Sequence, residues 1–139
     1  ELLVIDAGTA VTYEYVSANG IYRGGNISPG LQMRFRALNA FTGKLPLSSL
    51  SDMNGDVGTT TLSAISAGVV RGFNYEVNGV IEDFVNGKTE SDEKKCIILT
   101  GGDYKYLVIK VKSCIFACPN LVLDGIAKVA SAMFGTQFE

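Results

Sequence analysis

The chain has 139 residues, a formal net charge of −2, 47% hydrophobic residues and no histidine. That length fits one domain, or part of one, with a real core; the hydrophobic content describes a compact protein rather than a disordered one, and the charge balance suggests no basic nucleic-acid face. The missing histidine excludes Ser-His-Asp and Cys-His catalysis and any His-ligated metal.

The chain opens on Leu2-Leu3-Val4-Ile5, an apolar run too short for a helix, which reads as a buried strand. It runs into Asp6-Ala7-Gly8-Thr9, after which Val11, Tyr13 and Tyr15 alternate with Thr12 and Glu14 at the period of a second strand. Asp6 to Thr9 therefore form a tight loop between two antiparallel strands. Gly8 lets the backbone bend and a ligand approach its amide, Thr9 and Thr12 offer hydroxyls, and Asp6 is a hard oxygen ligand suited to a cation. Such a loop can cradle nucleotide phosphates; the alternative is an ordinary hairpin with a polar tip, or an Asx-type turn at Asp6. It is not a Walker loop, because G-x-x-x-x-G-K-[ST] is absent.

Asn19-Gly20 marks a turn, and a third strand is expected to begin over 21–23. The glycine-rich Gly24 to Gly30 stretch then leads into a helix, with Ser28 as N-cap and Pro29 in its first position. Leu31, Phe35 and Leu38 make its buried stripe, and Gly43 is the expected left-handed terminator. Arg34 and Arg36 could face a phosphate, but exposed helix arginines are usually solvated or paired on the surface, and that is the expected state. A loop over 44–58 precedes a long helix capped by Thr59 or Thr60. Its apolar positions run from Leu62 to Phe84, and Asn86-Gly87 stops it. Glycines 68, 72 and 79 within it point to close packing. Residues 88–95 form a charged, solvated connection. Cys96-Ile97-Ile98-Leu99 is another short strand, ending in Thr100-Gly101-Gly102-Asp103, which alone could be a plain strand-to-helix turn. Residues 104–112 fit either a short helix or an alternating strand. Asn120 caps a last helix with Leu121, Ile126, Val129 and Met133 among its apolar positions.

The three cysteines, 96, 114 and 118, lack C-x-x-C spacing and suit a reducing cytoplasm. Buried, inert thiols are the expected state, with a Cys114–Cys118 redox pair as the alternative. No apolar run approaches the roughly 20 residues of a membrane span, so no membrane partner is expected. Glu1 stands where a methionine would start a chain, already inside a strand, which suggests a piece of a longer polypeptide.

The ordered set Asp6-x-Gly8-Thr9-Ala10-x-Thr12, Gly24-Gly25-x-Ile27-x-Pro29-Gly30, Thr61 and Thr100-Gly101-Gly102 resembles the type III pantothenate kinases, also called the Bvg accessory factor family. The resemblance covers the whole chain but only the second half of the family's length. It implies an α/β fold, half of an actin, Hsp70 and sugar-kinase-like (ribonuclease H-like) architecture with a mixed sheet flanked by helices. It also implies ATP and Mg2+ as reaction partners, with Gly8, Thr9, Thr12, Thr100, Gly101 and Gly102 holding ATP. A monovalent cation, K+ or NH4+, would sit at Asp6. Thr61, Gly25, Ile27, Pro29 and Gly30 would shape the pantothenate pocket, and a homodimer in the cytoplasm is implied. The family often has asparagine where this chain has Thr60.

Two family motifs, a D-x-G-N-T phosphate loop and a G-x-D-R segment bearing the general base, are not in this sequence. The resemblance therefore leaves the catalytic base outside the chain and predicts an inactive fragment. The family's older name also suggests a transcriptional regulator, and a non-catalytic scaffold is the third reading. The acidic balance and the lack of a helix-turn-helix pattern argue against direct DNA contact.

Overall fold

The computed structural model describes residues 1–87 and 94–135. Five strands, β1 (Leu2–Ala7), β2 (Ala10–Val16), β3 (Tyr22–Pro29), β4 (Cys96–Thr100) and β5 (Cys114–Ala117), form one sheet in the order β3-β2-β1-β4-β5. β2 runs antiparallel to its neighbours β1 and β3, and β4 and β5 run parallel to β1. This is the expected mixed sheet of the ribonuclease H-like class. Three helices accompany it: α1 (Leu31–Ala40), α2 (Thr61–Asn86) and α3 (Leu121–Phe134).

The pleat decides the core. Leu3, Ile5 and Ala7 of β1, Val11 and Tyr13 of β2, and Ile97 and Leu99 of β4 point to one face and are buried. Against them α2 lays Ile65, Val69, Phe73, Val77 and Ile81, the i, i+4 stripe that its sequence rhythm announces. Leu31 and Phe35 of α1 close one end. Thr60 caps α2 by a reciprocal pair: Ser63 N–H donates to Thr60 Oγ1 at 3.2 Å, and Thr60 N–H donates to Ser63 Oγ at 3.0 Å. The helix ends at Asn86 as expected, where Lys95 Nζ donates to the carbonyls of Phe84 and Val85 at 2.7 and 3.1 Å. The charged connection read over 88–95 lies outside the described residues except for Lys94 and Lys95. Lys95 is therefore a helix-terminal partner rather than a solvated link.

Several expectations are corrected. The glycine-rich stretch is not a lead into a helix but strand: β3 pairs with β2 from Tyr22 to Pro29, so Ser28 and Pro29 lie in the sheet and the N-cap is Gly30. Proline is tolerated because β3 is an edge strand and Pro29 is its last residue. Helix α1 stops at Ala40, with Phe41 N–H donating to Ala37 O at 2.9 Å, and Gly43 has no left-handed φ. The glycines of α2 do not mark close packing: a Cβ on Gly68, Gly72 or Gly79 would meet nothing within 4 Å.

Residues 104–112 are neither a regular helix nor a sheet strand. A 3-10 turn over Tyr104–Tyr106 is followed by an extended segment zipped onto α2 by two asparagines one turn apart. Asn74 Oδ1 accepts from Val108 N–H at 2.6 Å and Asn78 Oδ1 from Lys110 N–H at 2.8 Å, while Asn78 Nδ2 donates to Val108 O at 2.9 Å. Side-chain amides thus replace a neighbouring strand, which is why the alternation looked strand-like without a partner.

The short strand β5 had no sequence reading of its own. It brings Cys114 beside Cys96 in register, Sγ to Sγ 3.7 Å, so the close pair is not Cys114–Cys118. Cys114 is exposed and the other two thiols are half-buried, which corrects the expectation of buried thiols. Burial pushes the Cys96 thiol up, and the hydrogen bond to Cys114 adds to it. Helix α3 begins after Asn120 as expected, but the Asn120 side chain makes no capping bond and no α3 residue is buried. No helix among the described residues is long and apolar enough to cross a membrane.

Candidate functional site

The β1–β2 hairpin loop is held from two sides by backbone. On one side Gly30 N–H donates to Thr9 O at 3.1 Å, and a Cβ on Gly30 would overlap the carbonyls of Gly8 and Thr9. On the other, Gly101 adopts φ +90°, and a Cβ there would overlap the Ala7 carbonyl and Asp6 Oδ1. Asp103 N–H then donates to Ala7 O at 2.8 Å, which straps the turn after β4 onto the loop. Both glycine motifs therefore exist because a side chain would push the loop out of place. Gly8 N–H is itself committed to Ala10 O at 3.0 Å, so the loop is a closed turn.

This double clamp opens on a cavity of about 600 Å³. Gly8 and Thr9 line one side, Gly102 and Asp103 another, and the exposed face of α1 (Gln32, Met33, Arg36, Ala37, Ala40 and Phe41) forms the third wall. The two strand-end glycine loops thus meet at one cavity, with Gly8, Thr9 and Gly102 in its lining and Thr12, Thr100 and Gly101 outside it. The α1 face was missed. The one available signal was the spacing of Arg34 and Arg36: two residues apart on a helix, they cannot face the same way.

Asp6 lies beside this cavity and not in its lining. It is the register partner of Thr12 on β2 and of Thr100 on β4, so the three side chains share the sheet face opposite the core. Thr100 is buried with its hydroxyl 3.5 Å from Pro119 O, and Thr12 does not line the cavity. A single carboxylate amid loop carbonyls fits a cation held partly by water or by phosphate oxygens. Among the described residues no group of three His, Cys, Asp or Glu side chains could make an all-protein metal site. Burial pushes the Asp103 carboxyl up, against the opposing charge of Lys105.

The residues expected at a second substrate are more dispersed. Pro29 lines a separate cavity of about 400 Å³ between α1 and α2, with Ala64, Ile65 and Gly68 on its far wall. Thr61 is exposed at the first position of α2, and Thr61, Gly25 and Ile27 line neither cavity. Between the two helices lies a polar knot. Glu76 of α2 accepts from Tyr13 OH at 2.7 Å, from Ser28 Oγ, and from Arg34 Nη2 at 2.5 Å, while Arg34 Nε donates to Pro29 O at 2.9 Å. Burial is the largest single influence on the Glu76 carboxyl and pushes it up. The hydrogen bonds from Ser28, Arg34 and Tyr13, with the Arg34 charge, outweigh it and hold the group below the usual range.

The family model described as type III pantothenate kinase matches residues 1–83 of this chain. The chain belongs to the type III pantothenate kinase family. Relatives bearing that name agree along nearly the whole chain. The Porphyromonas gingivalis protein is 49% identical over 132 residues, which are 93% of this chain and 52% of its own length. The Phocaeicola vulgatus protein is 47% identical over 131 residues, 94% of this chain and 52% of its own. The Flavobacterium psychrophilum protein is 43% identical over 124 residues, 89% and 50%. The chain thus spans about half the length of the curated relatives it matches. A crystal structure of a conserved Campylobacter jejuni protein, described as of the Baf family of transcriptional activators, superposes with a TM-score of 0.59. It is 23% identical and covers 94% of this chain and 57% of that one, a likeness of fold alone.

Proposed function

We propose that this chain is the C-terminal, nucleotide-holding half of a kinase that transfers the γ-phosphate of ATP to pantothenate, the first step of coenzyme A biosynthesis. One observation carries the reading: the Asp6–Thr9 loop, locked between Gly30 and Gly101, faces a cavity shared with the Gly102 turn. Phosphoryl transfer depends mainly on positioning and on stabilising charge, and a rigid loop at a strand end supplies positioning. Thr9 then orients phosphate from the loop tip, Gly101 lets the loop pack against the turn, and Gly102 leaves room for the nucleoside along its backbone. Asp6 holds a monovalent cation, K+ or NH4+, and Mg2+ enters with ATP. Thr61 and the Gly25 to Gly30 segment belong to the pantothenate side. The open surface at Gly68, Gly72 and Gly79 of α2 suits a second copy in a cytoplasmic homodimer. Neither nucleic acid nor membrane is part of this proposal.

The general base is not among these residues, because the family's G-x-D-R segment has no counterpart here. Kinase assays on the 139-residue chain and on the complete gene product, with ATP, magnesium and a monovalent cation, test the assignment. The complete protein is expected to phosphorylate pantothenate and the chain alone to show no measurable turnover. Robust turnover by the chain alone would mean that the base has been wrongly placed outside it.

A further inference from the structure

The two arginines of α1 have different fates. Arg34 is spent on structure: it donates to Pro29 O, pairs with Glu76 and lies over the Phe73 ring. Arg36, on the other side of the helix, lines the 600 Å³ cavity together with Gly8 and Thr9. Among the described residues it has no hydrogen-bond or ion-pair partner, and Ala37 and Ala40 beside it leave space for a ligand. Among the described residues it is the one cationic side chain of that lining.

The cavity needs one. A phosphate loop without lysine must offer either many free amides or a cation, and here Gly8 N–H is already given to Ala10 O. The carboxylates of Asp6 beside the cavity and Asp103 in its wall would repel a bare polyphosphate. A guanidinium fork matches phosphate oxygens two at a time and keeps its charge at every physiological pH.

We propose that Arg36 is the phosphate clamp of this cavity, engaging the polyphosphate of a nucleoside triphosphate from the α1 wall opposite the Gly102 turn. The inference rests on reading the cavity as a nucleotide site. Titration calorimetry on the chain with ATP, with inorganic tripolyphosphate and with adenosine separates the two claims. Arg36→Gln is expected to weaken ATP and tripolyphosphate by about tenfold or more while leaving adenosine unchanged. Arg36→Lys should fall between, since it retains the charge and loses the fork. If the wild-type chain binds ATP and Arg36→Gln binds it equally well, the clamp is refuted and the nucleotide cavity stands. If the wild type binds neither ATP nor tripolyphosphate at millimolar concentration, both fall. An equal loss of all three ligands with a lowered melting temperature would assign Arg36 to structure and also overturn the clamp.

Discussion

Replacing Gly101 with alanine is expected to destabilise the chain by about 2–4 kcal/mol and to abolish nucleotide binding. Two costs add. The residue holds φ +90°, which is unfavourable for any residue with a Cβ, and that Cβ would overlap the Ala7 carbonyl and Asp6 Oδ1. Neither neighbour can yield easily, because Ala7 is fully buried and its carbonyl already accepts from Asp103 N–H. The loop would have to move away from the turn, separating the two walls of the cavity. Gly102→Ala, one residue on, is the stability control. Its Cβ would meet nothing within 4 Å and its φ is not left-handed, so a change within about 0.5 kcal/mol is expected. Urea unfolding of the two variants, followed by circular dichroism, reads the difference.

Glu76→Ala is expected to cost about 2–3 kcal/mol, more than an exposed ion pair and less than a fully buried one. The side chains of Arg34 and Glu76 are 20% and 30% exposed, so water softens the loss. The change still strands Tyr13 OH, Ser28 and Arg34 together, and these tie β2, β3 and α1 to α2. The same carboxylate sets a pH dependence. Its folded-state pKa is depressed below the ordinary glutamate value of 4.5, so its stabilisation is fully present above that value. It is lost as the pH falls through the folded pKa. Glu76→Gln should therefore be less stable than wild type at neutral pH and should flatten the acid limb below about pH 4.5. Thermal melts between pH 3 and 7 measure this. A Glu76→Gln protein with an unchanged acid limb would show that the charge of Glu76 contributes nothing to stability. Tyr13 stays neutral throughout, since burial and the neighbouring Glu76 both push its hydroxyl up.

Periodicity made the hairpin, the long helix and its core stripe legible, because Leu3, Ile5, Val69 and Phe73 sit where pleat and helical repeat put them. The glycine loops were legible as a pair because their order is specific, although the reason for their glycines lies in contacts distant in sequence: Gly30 against Thr9, and Gly101 against Asp6. What stayed hidden depends on tertiary partners. Ser28 and Pro29 carry strong helix-start chemistry, yet the ladder to β2 claims them for strand. The extended run over Val108 and Lys110 has its partners on a helix, Asn74 and Asn78, which no local pattern encodes. Arg36 read as a solvated arginine, because only the packing of α1 beside the Gly8–Thr9 loop puts it in the wall of the cavity.

An amide chemical-shift titration of the isotopically labelled chain with ATP and magnesium tests directly whether the two glycine loops form one nucleotide site. The largest shifts are expected on Gly8, Thr9, Gly101 and Gly102, two segments more than 90 residues apart in sequence that respond together at one ATP concentration. Shifts confined to the edge strand β3 and the start of α2, or no shifts at all at millimolar ATP, would contradict a shared site.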